Sequence, residues 1–157
     1  MLPAGWNEAL PGIDSDTMHM VIWLGRLSRI WEINLESTFR AHGVNAAEMR
    51  VLMTLLCAGD GAELSVNQVG YGVILTSSGV TKAIDRMHRL GYIGKRQSSE
   101  DRRSTLISLN PSGRTIAGKA VRDLVGSFED CFPKGETEKR ALIQSALITL
   151  LGRIRLA

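Results

Sequence analysis

The stretch TSSGVTKAIDRMHRLGYIGKRQSSEDRRSTLISL, residues 76–109, decides how the chain folds. Thr76 or Ser77 offers an N-cap to a helix over about 77–90, and Gly91 stops it. Val80, Ala83, Ile84, Met87 and Leu90 recur at helical spacing and form its predicted inner face. Tyr92 and Ile93 with Lys95 and Arg96, then Ser104–Leu109, are rich in strand formers. They predict a two-stranded hairpin whose loop of about six residues carries Arg102 and Arg103 at its tip. A solvated turn has no need of two adjacent arginines; a finger that touches something negative does. Residues 82–103 hold seven Lys/Arg against three Asp/Glu, a local surplus of +4, while the rest of the chain sums to −1. Such concentration favours a polyanionic partner.

Upstream, Ser65-Val-Asn-Gln68 reads as a capping box, with Leu64 and Val69 as its hydrophobic staple. The helix it opens is short, because Gly70 and Gly72 weaken it. A turn, GVIL, leads into the cap at Thr76, with Leu75 and Val80 placed as a second staple. Asn45 and Glu48 form a further capping box before a helix over about 46–58. That helix turns Met49, Val51, Leu52, Leu55 and Leu56 inward, and Gly59-Asp60-Gly61 is a turn. Asp-Ser-Asp-Thr at 14–17 caps a long helix to about residue 41, some 37 Å at the α-helical rise. Residues 1–13 are extended or a short helix. Downstream, Asn110-Pro111 restarts a helix over about 111–130. Pro133-Lys-Gly135 breaks it, and a last helix over about 136–155 carries a stripe of Leu142, Ala146, Leu147, Leu150, Leu151 and Ile154.

Helix, short capped helix, turn, helix and basic hairpin is the order of a winged helix-turn-helix. The predicted fold class is mainly α with a small β-hairpin wing. An α-helix fits the DNA major groove. Near the start of the helix from 77 the exposed positions are Ser77, Ser78, Thr81, Lys82, Asp85 and Arg86. The first three are small donors suited to phosphate or base edges, and Lys82 and Arg86 share a face. The hairpin then reaches the minor groove, where narrow A·T-rich DNA attracts arginine. One of Arg102 and Arg103 enters it, the other holds phosphate, and Asp101 orients a neighbouring guanidinium.

The sequence resembles the MarR family of bacterial winged-helix regulators. The resemblance is carried by Leu75-Thr-Ser-Ser-Gly-Val-Thr-Lys82, Ile84-Asp-Arg-Met87, Leu90-Gly-Tyr-Ile93, Asp101-Arg-Arg103 and Leu109-Asn-Pro-Ser-Gly113, and it covers about residues 17–155. It implies a homodimer on a pseudopalindromic operator in double-stranded DNA. Dimerisation helices are expected at about 1–44 and 111–157 and the DNA-binding region at about 45–110, all within a single 1–157 domain. The expected DNA-contacting residues are Ser65, Thr76, Ser77, Ser78, Thr81, Lys82, Arg86, Lys95, Arg96, Asp101, Arg102 and Arg103. The family's small phenolic or anionic effectors imply a ligand site, for which Trp6, Trp31, Arg50 and Arg86 are the candidates. The leading segment with Trp6 is similar to the urate-responsive subgroup. That subgroup carries an acidic residue near Arg50, so an anion other than urate is expected.

Other classes find little support. No apolar run approaches the roughly 20 residues of a membrane span. The N-terminus has two prolines, acidic residues and no basic cluster, unlike a signal peptide, so the expected address is the cytoplasm. His19, His42 and His88 lack metal-ligand spacing, and no nucleophile–base–acid set or GxSxG elbow stands out. No catalytic residue, metal or cofactor is expected. Cys57 and Cys131 lie far apart in apolar surroundings and read as small core residues, with a thiol-based redox input as the alternative. A winged-helix interaction module that does not bind DNA is the other alternative. Wide apolar faces on the first and last long helices leave surface that needs a partner, which favours the dimer.

Overall fold

A computed structural model of the chain describes residues 6–71, 76–99, 101 and 103–153. The GVIL turn with its Leu75 staple, Arg102 and Ile154 lie outside the described residues. In chain order the elements are α1 (Trp6–Ala9), α2 (Ser15–Ala41), α3 (Ala46–Cys57), β1 (Glu63–Ser65), α4 (Val66–Tyr71) and α5 (Ser77–Arg89). There follow β2 (Ile93–Gln97), β3 (Thr105–Leu109), α6 (Pro111–Phe128), a 3-10 turn at Glu129–Cys131 and α7 (Thr137–Arg153). The chain divides into a unit of residues 1–120 and a unit of residues 121–157.

The helix starts follow local side-chain chemistry. The Asp14 carboxylate accepts from the backbone N–H groups of Asp16 and Thr17 and from the Thr17 hydroxyl. Asn45 accepts from the Glu48 N–H at 2.9 Å while Glu48 accepts from the Asn45 N–H at 2.8 Å, a reciprocal capping box. Ser65 and Gln68 repeat the arrangement at α4, with Gln68 Oε1 accepting from the Ser65 N–H at 2.8 Å. Thr76 caps α5 by accepting from Gly79 N–H. Gly91 ends that helix with φ of +72°, a conformation L side chains rarely adopt.

Where two strands were expected there is a three-stranded antiparallel sheet, order β1-β3-β2. β1 was missed because three residues carry no readable alternation; it exists only by pairing, with Leu64 opposite Ile107. β2 pairs with β3 from Ile93 opposite Leu109 to Gln97 opposite Thr105. The core of the first unit joins Met49, Val51, Leu52 and Leu55 of α3, Val69 of α4, Val80, Ala83, Ile84 and Met87 of α5, Ile93 of β2 and Ile107 of β3, all buried. α3 packs on α5 and β3, and α5 on α4 and β2. Each large side chain so buried contributes about 1.5–3 kcal/mol. Leu90, expected on the inner face, is instead exposed: it is the C-cap of α5, beyond the last helical residue that faces the core.

The first turn of α6 is fastened to the end of α5. The Ser112 hydroxyl donates to the Gly91 carbonyl at 2.7 Å and the Asn110 side-chain amide donates to the same oxygen at 3.0 Å. A Cβ at Gly113 would stand 2.1 Å from the Tyr92 carbonyl oxygen, so only glycine lets the helix approach this closely. Arg114 forms an ion pair with Asp60 in the turn after α3.

Among the described residues, α2 and α7 leave apolar surface uncovered. On α2 the exposed residues include Val21, Trp23, Leu27, Ile30 and Trp31, with Phe39 its buried residue. In the second unit α7 has no buried residue, and Leu142, Leu147, Ile148 and Leu151 are exposed. Cys57 and Cys131 are both exposed free thiols, correcting the expectation that they fill the core. Cys57 lies on the last turn of α3, turned away from the face that carries Leu52 and Leu55, and Cys131 ends the 3-10 turn.

Candidate nucleic-acid interface

α4 and α5 form the helix-turn-helix pair, and α5 turns its apolar face inward. That leaves Ser77, Ser78, Thr81, Lys82, Asp85, Arg86 and Arg89 on its exposed side. The small donors are partly occupied. Thr76 is the cap and lies 3.3 Å from the Ser78 hydroxyl, Thr81 donates to the Ser77 carbonyl, and Ser65 caps α4. A hydroxyl retains acceptor capacity in each case.

The cations fall into two classes that the sequence did not separate. Among the described residues Lys82, Arg89 and Arg103 are exposed and no acidic side chain forms a salt bridge with them. Arg86, Lys95 and Arg96 each have one. Arg86 Nη1 donates to Glu48 Oε1 at 2.6 Å, and Glu48 is 2% exposed. The same carboxylate accepts from the Asn45 N–H and the Asn45 side-chain amide, so this buried charge has three donors. Lys95 donates to Asp85 Oδ1 at 2.5 Å. Arg96 donates from Nε to Glu63 Oε1 at 2.5 Å and from Nη2 to Glu63 Oε2, while Nη1 donates to the Gln97 carbonyl. The hydrogen bond from Lys95, and then its charge, hold Asp85 below the usual carboxylate range; Arg96 does the same to Glu63 and is itself pushed up by that bond.

The wing tip is organised by Asp101. Its carboxylate accepts from the Arg103 N–H at 2.9 Å and from the Ser104 hydroxyl at 2.8 Å, and the loop is closed by Ser98 N–H to Ser104 carbonyl. Among the described residues Asp101 thus orients the loop backbone, an Asx-type turn that leaves the Arg103 side chain exposed, while its expected pairing with the Arg102 guanidinium lies outside the described residues. The Arg103 N–H, then the Ser104 hydroxyl, depress the Asp101 pKa.

The four ligand candidates lie on different elements: Trp6 in α1, Trp31 in the middle of α2, Arg50 on the exposed side of α3 and Arg86 on α5. A groove beside Arg86 is lined by Glu36, Arg40, Gly43, Val44, Asn45 and Ala46, and it includes none of the other three candidates. Glu48, Glu63 and Asp85, which decide the state of three cations, were missed as partners. Their signal is spatial and no local spacing carries it.

No protein-family model matches the chain. Its sequence is 27% identical over 150 residues to the HTH-type transcriptional regulator PecS of Dickeya dadantii, covering 95% of this chain and 87% of that protein. The fold is that of a MarR-family transcriptional regulator from Silicibacter pomeroyi, with TM-score 0.69, 21% identity and coverage of 86% and 89% of the two chains. The chain belongs to the MarR family of winged helix-turn-helix regulators. Two further solved structures share the fold. A mutant of Escherichia coli MarR, solved in complex with operator DNA, matches with TM-score 0.65 and 19% identity over 93% of this chain and 97% of that one. Bordetella bronchiseptica BpsR, whose DNA binding is regulated by 6-hydroxynicotinic acid, matches with TM-score 0.62 and 21% identity over 82% and 98%. As a MarR-family protein this chain is a DNA-binding transcriptional regulator.

Proposed function

We propose that the chain works as a cytoplasmic homodimeric repressor that binds a pseudopalindromic operator and is released by a small aromatic or anionic ligand. Its work is binding rather than catalysis. The observation that carries the reading is the placement of cations that have no acidic partner among the described residues: Lys82 on α5 and Arg103 at the wing tip are exposed. α5 is the element for the major groove and the wing for the minor groove. The uncovered apolar surfaces of α2 and α7 support a second copy of the chain as partner. Dimerisation places two α5 helices about one helical turn of DNA apart, matching the symmetry of an inverted repeat. The BpsR precedent supports an aromatic acid as effector. Such a ligand works only through different affinity for the DNA-competent and incompetent states.

The experiment is a titration of a labelled inverted repeat, taken from DNA flanking the gene, between about 0.05 and 0.2 M salt, a range over which phosphate-dominated binding falls steeply. Affinity for duplex DNA that is absent in dilute buffer would leave the interaction-module reading. A panel of aromatic acids, read by thermal shift and by release of bound DNA, tests the effector. Exposure of Cys57 and Cys131 favours a second reading in which a thiol supplies the input; operator binding indifferent to peroxide removes it.

A further inference from the structure

Lys95 and Arg96 are consecutive on β2, so their side chains leave opposite faces of the sheet. On one face Lys95 reaches α5 and meets Asp85 at 2.5 Å. On the other Arg96 crosses the middle strand, β3, and meets Glu63 on β1. The Arg96 guanidinium has all three of its nitrogens engaged, two on Glu63 and one on the Gln97 carbonyl. Phosphate brought to Lys95 would also approach the Asp85 carboxylate, which is half exposed beside it. Both residues stand immediately before the loop that carries Arg103, and β2 ends at Gln97.

The geometry assigns Lys95 and Arg96 a positioning role: they tie the base of the wing to the recognition helix and to β1, and they do not neutralise DNA phosphate. This rests on the operator reading above and deepens it. The tie to α5 fixes the offset between the element in the major groove and the arginine aimed at the minor groove. The strap to β1 holds β2 flat against β3, so the tip leaves the sheet in one direction. Neither function needs a large interaction energy. Exposed ion pairs are worth little to global stability, but a small change in where the tip points acts twice on a dimer, once at each half-site.

A positioning residue and a phosphate contact differ in sign and in salt dependence. If Arg96 were a phosphate contact, Glu63→Gln would free it and remove a nearby negative charge, so operator binding would tighten. As a positioning pair, Glu63→Gln weakens binding. Loss of the pair at both wings should lower operator affinity roughly fourfold to twentyfold, as befits an exposed pair counted twice. Arg96→Met and Lys95→Met should weaken binding to a similar degree. The slope of log affinity against log salt should stay that of the parent, whereas each lost phosphate contact lowers it by about 0.9.

The experiment measures operator affinity of the full chain and of Glu63→Gln, Arg96→Met, Lys95→Met and the swap Glu63→Arg/Arg96→Glu, each across a salt series, with thermal unfolding alongside. The expected result is weakened binding at unchanged slope and unchanged melting temperature, with the swap recovering most of the loss. Rescue by the reversed pair is something a general loss of fold would not give. Tighter binding by Glu63→Gln, a reduced slope for Arg96→Met or Lys95→Met, or a swap as weak as the single variants overturns the assignment. Failure of the parent chain itself to bind any duplex overturns the operator reading, and the assignment with it.

Discussion

At the residue scale, arginines of one type do opposite work. Arg86 closes the shell of the buried Glu48 carboxylate, and Arg103 stands in solvent on a turn built by Asp101. Removing the partner of a buried charge is costly, though Arg86 itself is 45% exposed, and water can enter to soften the loss. Arg86→Met is expected to lower unfolding free energy by about 1–3 kcal/mol, read as a shift in urea midpoint at constant m-value. Arg103→Ala should leave that midpoint within about 0.5 kcal/mol of the parent and weaken operator binding with a shallower salt slope. Equal effects of the two on stability would refute the division. The Asp101 turn makes a pH prediction. Its carboxyl has a folded pKa below the ordinary 3.8, so its contribution is full above that value and is lost as pH falls through the depressed one. Carboxyl and Arg103 amide signals should move together on acidification, with a shared midpoint below 3.8. A midpoint at or above 3.8 in an NMR titration would mean the turn is not closed by this carboxylate. What the sequence conveyed at this scale was local. The boxes at Asn45–Glu48 and Ser65–Gln68 span three residues and were legible; the Glu48–Arg86 and Glu63–Arg96 pairs span 38 and 33 residues and were not.

At the scale of elements, periodicity served where an element is long enough to show it. α3 and α5 were readable from their buried stripes, Met49 to Leu55 and Val80 to Met87. β1 is three residues long, fewer than two periods of alternation, and its pairing with β3 turned an expected hairpin into a sheet. Cys57 was misjudged because an apolar neighbourhood in sequence is shared by both faces of a helix. Gly113 shows a further limit: glycine in the first turn of a helix reads as a mere weakening, yet here it admits the Tyr92 carbonyl. Gly113→Ala would favour the helix by propensity, by roughly 1 kcal/mol, and oppose it by collision with backbone that cannot swing aside. The collision should win, giving a net loss of about 1–3 kcal/mol in denaturant unfolding. A stabilised Gly113→Ala variant would show that α6 does not seat this closely against the start of β2.

For the whole molecule, the decisive quantity is apolar surface left in water. The sequence displayed the stripes on α2 and α7 but could not say whether they met inside one chain or waited for another. In the described residues α7 keeps Leu142 and Leu151 at 71% and 76% exposed, far more than an element of a finished core would tolerate. If a second copy covers that surface, two recognition helices are linked and the second half-site is engaged at high effective concentration. Linkage of that kind strengthens binding by on the order of 10²–10⁴ with no new contact to DNA. Charges placed on the stripe should therefore act on DNA binding without touching the interface that reads it. Leu147→Glu with Leu151→Glu is expected to sediment as a monomer at micromolar concentration. It should lose at least about 10² in operator affinity and yet keep its affinity for an isolated half-site within about threefold. Retention of a dimer by the double variant would exclude α7 from the interface. A monomeric variant that still bound the full operator as tightly as the parent would instead show that one copy suffices for recognition, and that the symmetry of the site has another cause.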